Sequence, residues 1–188
     1  MSHQKVGIPY KRDGQEVIGP GAYRLLETFT GPAAETDGEI VDDIRAKMKL
    51  ALQDFPELAH KTVTVGRLDP DEDAVGQARF WNLVVLFPID RYTSFQTIYH
   101  ELAHLAIHIR NEEGEDVPIT SEEYCSLVGI ARMPANRLDE DRIAYFGHPS
   151  VPKEEWPKIC QRALDYRAEN GANSHYIKRA SEWLEVDT

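Results

Sequence analysis

Apolar residues at 95, 98, 99, 102, 103, 105, 106, 107 and 109 run almost all the way round a helical wheel, which predicts a buried helix rather than a surface one. Three histidines and a glutamate interrupt this greasy stretch. Thr93-Ser94-Phe95-Gln96 supplies its start, with Thr93 as N-cap and Gln96 as capping-box partner, and the end is expected near Arg110-Asn111, ahead of Gly114. Upstream, Thr36-Asp37-Gly38-Glu39 reads as a second capping box, followed by Ile40, Ile44, Met48, Leu52 and Phe55 at helical spacing, a support helix stopped by Pro56. Lys61-Thr62-Val63-Thr64-Val65-Gly66 alternates with period two and is β-branched, hence a strand. Phe80-Trp81-Asn82-Leu83-Val84-Val85-Leu86-Phe87 is a near-continuous apolar strand ended by Pro88. Downstream, residues 120–134 form a helix with apolar positions at 124, 127, 128 and 131. Two further helices follow. One runs from Trp156 to Asn170-Gly171, and the other is capped by Ser174 and extends through Leu184.

The pattern is that of an α+β fold: a small mixed or antiparallel sheet, a buried helix packed on it, a Glu-bearing helix and C-terminal helices. The first 35 residues, rich in Gly and Pro with no sustained periodicity, read as an irregular arm, leaving 36–188 as the domain. A chain of 188 residues suits one core. A formal net charge of -11 argues against nucleic-acid or anionic-membrane partners. The polar start Met1-Ser2-His3-Gln4-Lys5 leads into no apolar run, so the expected location is cytoplasmic. Cys125 and Cys160, without C-x-x-C spacing, are expected to be reduced core residues. Residues 69–73 lack the Gly and distal Glu of an EF-hand, so they read as a solvated acidic turn.

Chemistry concentrates in His100-Glu101-Leu102-Ala103-His104. Residues four apart on a helix project from one face, about 6 Å apart along the axis, so His100 and His104 can each give a nitrogen to one Zn²⁺ at ~2.0 Å. Glu101 lies a quarter turn away, where a carboxylate can take a proton from a water on the metal. His108 is one turn too far along the axis and is expected outside the ligand set. The third ligand is sought in the 120–134 helix. Glu123 lies about 100° from the centre of its apolar face and Glu122 about 160°, so Glu123 is the first choice; if Glu123 instead completes a capping box with Thr120, Glu122 or another acid takes its place. Tyr145 and His148, in the segment between the helical regions, are candidate donors to a transition-state oxyanion, set against a packed tyrosine and an exposed loop histidine. The apolar strand before the histidine helix, were it an edge strand, could pair with an extended peptide; an ordinary core strand is the competing reading.

Phe95-Gln96-Thr97-Ile98-Tyr99-His100-Glu101-Leu102-Ala103-His104-Leu105-Ala106-Ile107-His108, with a strand before it and a Glu-bearing helix ending in Met133-Pro134 after it, resembles the ImmA/IrrE-type zincin-like metallopeptidases. The peptidase domain of ArdC-type antirestriction proteins carries a similar string. The resemblance covers roughly residues 60–135. It implies a zincin-like fold, a zinc cofactor, Glu123 as the glutamate ligand when aligned on Met133-Pro134, and a protein or peptide substrate such as a regulatory protein of stress or mobile-element control. The sequence departs from the family at Tyr124-Cys125, where Ala-Asn is usual. A different class of function, a catalytically silent zinc-stabilised module that grips a protein partner, predicts the same metal.

Overall fold

A computed structural model describes residues 13–18, 21–25, 38–68, 73–88 and 90–186, with side chains from Gly38 onward. The chain is a mixed α+β structure whose strands are β1 (Asp13–Ile18), β2 (Gly21–Leu25), β3 (Thr62–Arg67), β4 (Gln77–Arg79) and β5 (Val84–Phe87), in the spatial order β1-β2-β3-β5-β4. Its centre is the trio β3-β5-β4: β3 and β5 are parallel, and β4 runs antiparallel along the outer side of β5. β2 joins parallel to the other side of β3, and β1 is antiparallel to β2. Two stretches of the expected irregular arm are therefore strands, joined by backbone pairing that a polar, non-alternating sequence does not announce. Among the described residues the helices are α1 (Gly38–Ala51), α2 (Phe95–Glu112), α3 (Glu122–Arg132), α4 (Trp156–Asn170) and α5 (Tyr176–Leu184).

Alternation sorts the sheet's two faces. Val63, Val65, Val85 and Phe87 join the main core with Ile44, Met48, Leu52 and Phe55, while Val84 and Leu86 pack with Leu68 in a small second cluster. α2 crosses this core almost entirely buried, from Gln96 through Ile107. Its rotation is fixed from behind. Tyr99 donates a very short hydrogen bond to the Asp54 carboxylate, and the Arg137 guanidinium donates to both Asp54 (2.7 Å) and the Tyr99 hydroxyl oxygen (2.6 Å).

The predicted 80–87 strand is two elements. Phe80–Asn82 is a 3-10 turn, Leu83 takes a left-handed conformation (φ 51°), and only Val84–Phe87 pairs in the sheet. The reason is local: the Phe80 ring leaves the sheet to stack on His108, centroids 5.4 Å apart, and to lean on His104 at 6.0 Å. β5 consequently has strands on both sides, and the outer strand is β4. Helix starts also shift. Ser94, not Thr93, caps α2 by accepting from Thr97 N at 2.9 Å, and Ser121, not Thr120, caps α3 by accepting from Tyr124 N at 3.1 Å. α5 begins at Tyr176 after a left-handed His175, with no side-chain bond from the expected cap Ser174. Thr36, Asp37 and residues 69–72 lie outside the described residues. No helix among those described is long and apolar enough to cross a membrane.

Candidate metal centre

The i, i+4 geometry of α2 brings the His100 and His104 rings edge to face, centroids 4.8 Å apart, with their Nε2 atoms separated by 3.2 Å. A carboxylate closes the triangle, and it belongs to Glu122. Its Oε2 lies 2.9 Å from His100 Nε2 and 3.1 Å from His104 Nε2. Ligands held ~2.0–2.1 Å from a tetrahedral ion are about 3.3 Å from one another, so these three atoms sit close to one face of such a tetrahedron. The donor set also fits: two imidazole nitrogens and one carboxylate oxygen, converging at the floor of a cleft, form a group that could hold a metal ion. Two Nε2 lone pairs and an anionic oxygen this close repel one another unless a proton or a cation lies between them.

Glu123 points elsewhere. It accepts from the Ser121 hydroxyl at 3.0 Å, within its own helix start. A helical wheel favours Glu123 because it ranks the two acids by their distance from the apolar face of the helix. In fact α3 is buried on nearly every side from Tyr124 to Ile130. The face that meets α2 is Glu122, Cys125, Ser126 and Gly129, an i, i+3, i+4, i+7 stripe of small or polar residues that a hydrophobicity reading passes over. Gly129 is what lets the helices touch: a Cβ there would lie 3.1 Å from Tyr99 C and O and 3.2 Å from His100 N.

Glu101 is buried beside the pair and faces the same cleft of about 460 Å³. Burial raises its carboxyl to about 7, with the Glu122 charge adding and His100 opposing. Glu122 is held down to about 2, chiefly by its bond to His100. His104 is shifted below its usual value, by burial first and then by the neighbouring His100. Gly76, which the sequence reading did not single out, lies directly against Glu101: a Cβ there would be 2.8 Å from Glu101 Oε1 and 2.9 Å from its Cγ. Its mark in the sequence is a glycine just before a strand, where close backbone approach is a standard use.

Opposite Gly76, the loop 139–147 forms the other wall. Ile143 and Gly147 exchange backbone bonds at 2.8 and 2.9 Å and throw Tyr145 outward at φ 64°, a left-handed backbone that costs a non-glycine residue about 1–2 kcal/mol. Its ring stacks on His100 at 5.6 Å, and its hydroxyl reaches Glu122; burial against the site, with that carboxylate, raises its pKa. Gln96 pins the loop to α2, accepting from Glu140 N at 2.5 Å and donating to Arg142 O at 2.6 Å. The residue expected to complete a cap is thus a strap. His148 is not part of the site: its Nδ1 meets Asp141 O on the surface. His108 also stays outside the cluster, 3.4 Å from Glu112 and stacked on Phe80. Cys125 and Cys160 are both free and buried. Comparison with known proteins gives no match: no family model, no curated protein and no solved structure matches the chain.

Proposed function

We propose that the chain is a zinc-dependent metallopeptidase of zincin-like build, with zinc held by His100, His104 and Glu122 and with Glu101 as the general base. The observation that carries this reading is the convergence of the three ligand atoms within 3.2 Å of one another, with a second carboxylate, Glu101, beside them at the floor of one cleft. A zinc ion bound there would supply Lewis acidity, polarising a carbonyl and acidifying a water, and its charge would favour the ionised form of Glu101. Glu101 then takes the proton of the attacking water and delivers it to the leaving amine. Gly76 packed on its side chain keeps that carboxylate from turning away. The Tyr145 hydroxyl, carried over His100, is the donor toward the developing oxyanion. β4 borders the same cleft and has no strand on its outer side among the described residues, so an extended segment of a protein substrate has backbone to pair with. By its resemblance to the ImmA/IrrE type, the substrate is a regulatory protein.

Metal content and cleavage of candidate regulatory proteins, measured on the same preparations, test this. Glu101→Gln should keep zinc and lose hydrolysis by a factor on the order of 10² or more, whereas Glu122→Gln should lose zinc affinity first and activity with it. If Glu101→Gln leaves every biological effect intact while Glu122→Gln abolishes it, the protein is a zinc-stabilised binding module and the peptidase reading fails.

A further inference from the structure

We propose that Cys125 and Ser126 are the positioning residues of the two histidines, each taking the Nδ1 proton of one imidazole so that both Nε2 lone pairs face the metal point; the proposal rests on the metal reading of the cluster but not on peptidase activity. A neutral imidazole has one N–H, and the nitrogen that lacks it is the one that can ligate. On His100, Nδ1 lies 3.1 Å from Ser126 Oγ; on His104, Nδ1 lies 3.1 Å from Cys125 Sγ. Both partners are shut away from solvent, Ser126 at 3 % and Cys125 at 0 % exposure, so water does not substitute for them. Were either to donate to Nδ1 instead, the ring's proton would move to Nε2 and point at the Glu122 oxygen and at the other ring, leaving no lone pair for a metal.

The arrangement follows from helix geometry. Two consecutive residues of α3 back onto two residues of α2 that are four apart, which needs the helices to cross in contact, and Gly129 one turn further on permits that contact. One face of α3 therefore supplies the third ligand and both proton acceptors. Its chemistry is unusual in one respect. Ligating histidines commonly donate to a carboxylate or a backbone carbonyl, which raises their basicity. Here one acceptor is a neutral hydroxyl and the other a thiol sulfur, a weak acceptor. Glu122 is left as the one anion in direct contact with the two rings among the described residues, so the site holds its metal less tightly and leaves it more electrophilic than a carboxylate-backed pair would.

The test is zinc affinity, read by competition with a chromophoric chelator, together with the melting temperature of each metal-free protein. Cys125→Ala and Ser126→Ala should each lower affinity 10–100-fold. Cys125→Ser shrinks the buried side chain about as much as Cys125→Ala does but keeps an acceptor atom, so it should bind zinc at least tenfold more tightly than Cys125→Ala while the two metal-free proteins melt alike. Equal affinities for Cys125→Ser and Cys125→Ala, or wild-type affinity in both alanine variants, overturn the proposal and leave the metal site standing. A wild-type protein that takes up no zinc, or that keeps it when His100 and His104 are replaced by alanine, overturns the metal reading itself.

Discussion

Gly129→Ala tests the helix contact on which the whole centre depends. The added methyl group would sit 3.1 Å from the Tyr99 carbonyl carbon and oxygen and 3.2 Å from His100 N, against ordinary contacts that begin near 3.4 Å. These are backbone atoms of a buried helix anchored from behind by Asp54 and Arg137, so they cannot swing aside like the tip of a side chain. α3 must move off by about 0.3 Å. Overpacking of this kind costs about 1–3 kcal/mol, and exchanging Gly for Ala in a helix returns about 1 kcal/mol, for a net destabilisation of about 0–2 kcal/mol. In a domain of this size that corresponds to a fall in melting temperature of up to about 8 °C. Zinc responds separately. Glu122 rides on the helix that moves and the histidines on the helix that stays, so the gain in melting temperature on adding zinc should shrink along with affinity. Calorimetric scans with and without the metal read both effects, and Gly38→Ala, where nothing lies within 4 Å, is the neutral control. A Gly129→Ala protein that is more stable than wild type and takes up zinc equally well would show that the helices do not approach as described.

Gly76→Ala should separate metal from chemistry: the methyl group displaces the Glu101 carboxylate without touching a ligand, so zinc content should stay at the wild-type level while hydrolysis falls on the order of 10²-fold, as a misplacement of ~1 Å can produce. Full activity in this variant would mean that Glu101 does not work from where it lies. The ion pair of Arg132 with Glu57, made by two bonds of 2.5 and 2.7 Å, gives a pH prediction. Burial alone would raise the Glu57 carboxyl, but the guanidinium outweighs it and leaves the folded pKa below the ordinary value. The stabilisation, about 1–2 kcal/mol, should therefore be complete above the unfolded pKa of about 4.3 and be lost as pH falls through the lower, folded pKa. In denaturant titrations, the stability difference between wild type and Glu57→Gln should be constant above about pH 6 and close toward zero below about pH 4; a difference that does not vary with pH refutes the assignment.

The buried histidine helix was legible because its apolar residues run almost all the way round it over four turns, and helical spacing alone sets His100 and His104 on one face with Glu101 a quarter turn away. What stayed hidden was decided by contacts that periodicity does not encode. Both ligand-bearing helices begin at a Thr-Ser pair, Thr93-Ser94 and Thr120-Ser121, and either hydroxyl can cap; in both, the serine does. The second shift matters. With Thr120 as cap, Glu123 is the third helical residue and a natural capping-box partner, whereas with Ser121 as cap Glu122 is the first helical residue and faces α2. Which strand forms the edge of the sheet stays open in the sequence for a similar reason, and the structure gives β5 the inner place. Nothing in an unbroken apolar run tells that Phe80 serves His108 rather than the strand, or that three half-exposed residues, Gln77–Arg79, take the outer position.

The centre also shows why its two walls can differ in kind. Its floor is helix against helix, rigid because Tyr99 is locked behind and Gly129 fits in front, and the metal-facing atoms come from the part of the fold with least room to move. The walls are irregular backbone: the segment around Gly76 on one side and the Tyr145 loop on the other. Yet both walls take their position from the floor. Asp139 accepts from Phe95 N, at 3.1 and 2.9 Å through its two oxygens, and Gln96 holds the loop at Glu140 and Arg142, so the first turn of α2 fixes where Tyr145 stands. Glu101, one turn later on the same helix, is the surface against which Gly76 rests. On the proposed reading, a segment entering between the walls would meet His100, His104, Glu101 and Tyr145 all referenced to α2, with Glu122 carried on α3, which is why a small relative displacement of α3 should disturb metal binding, while displacement of a wall should disturb catalysis alone.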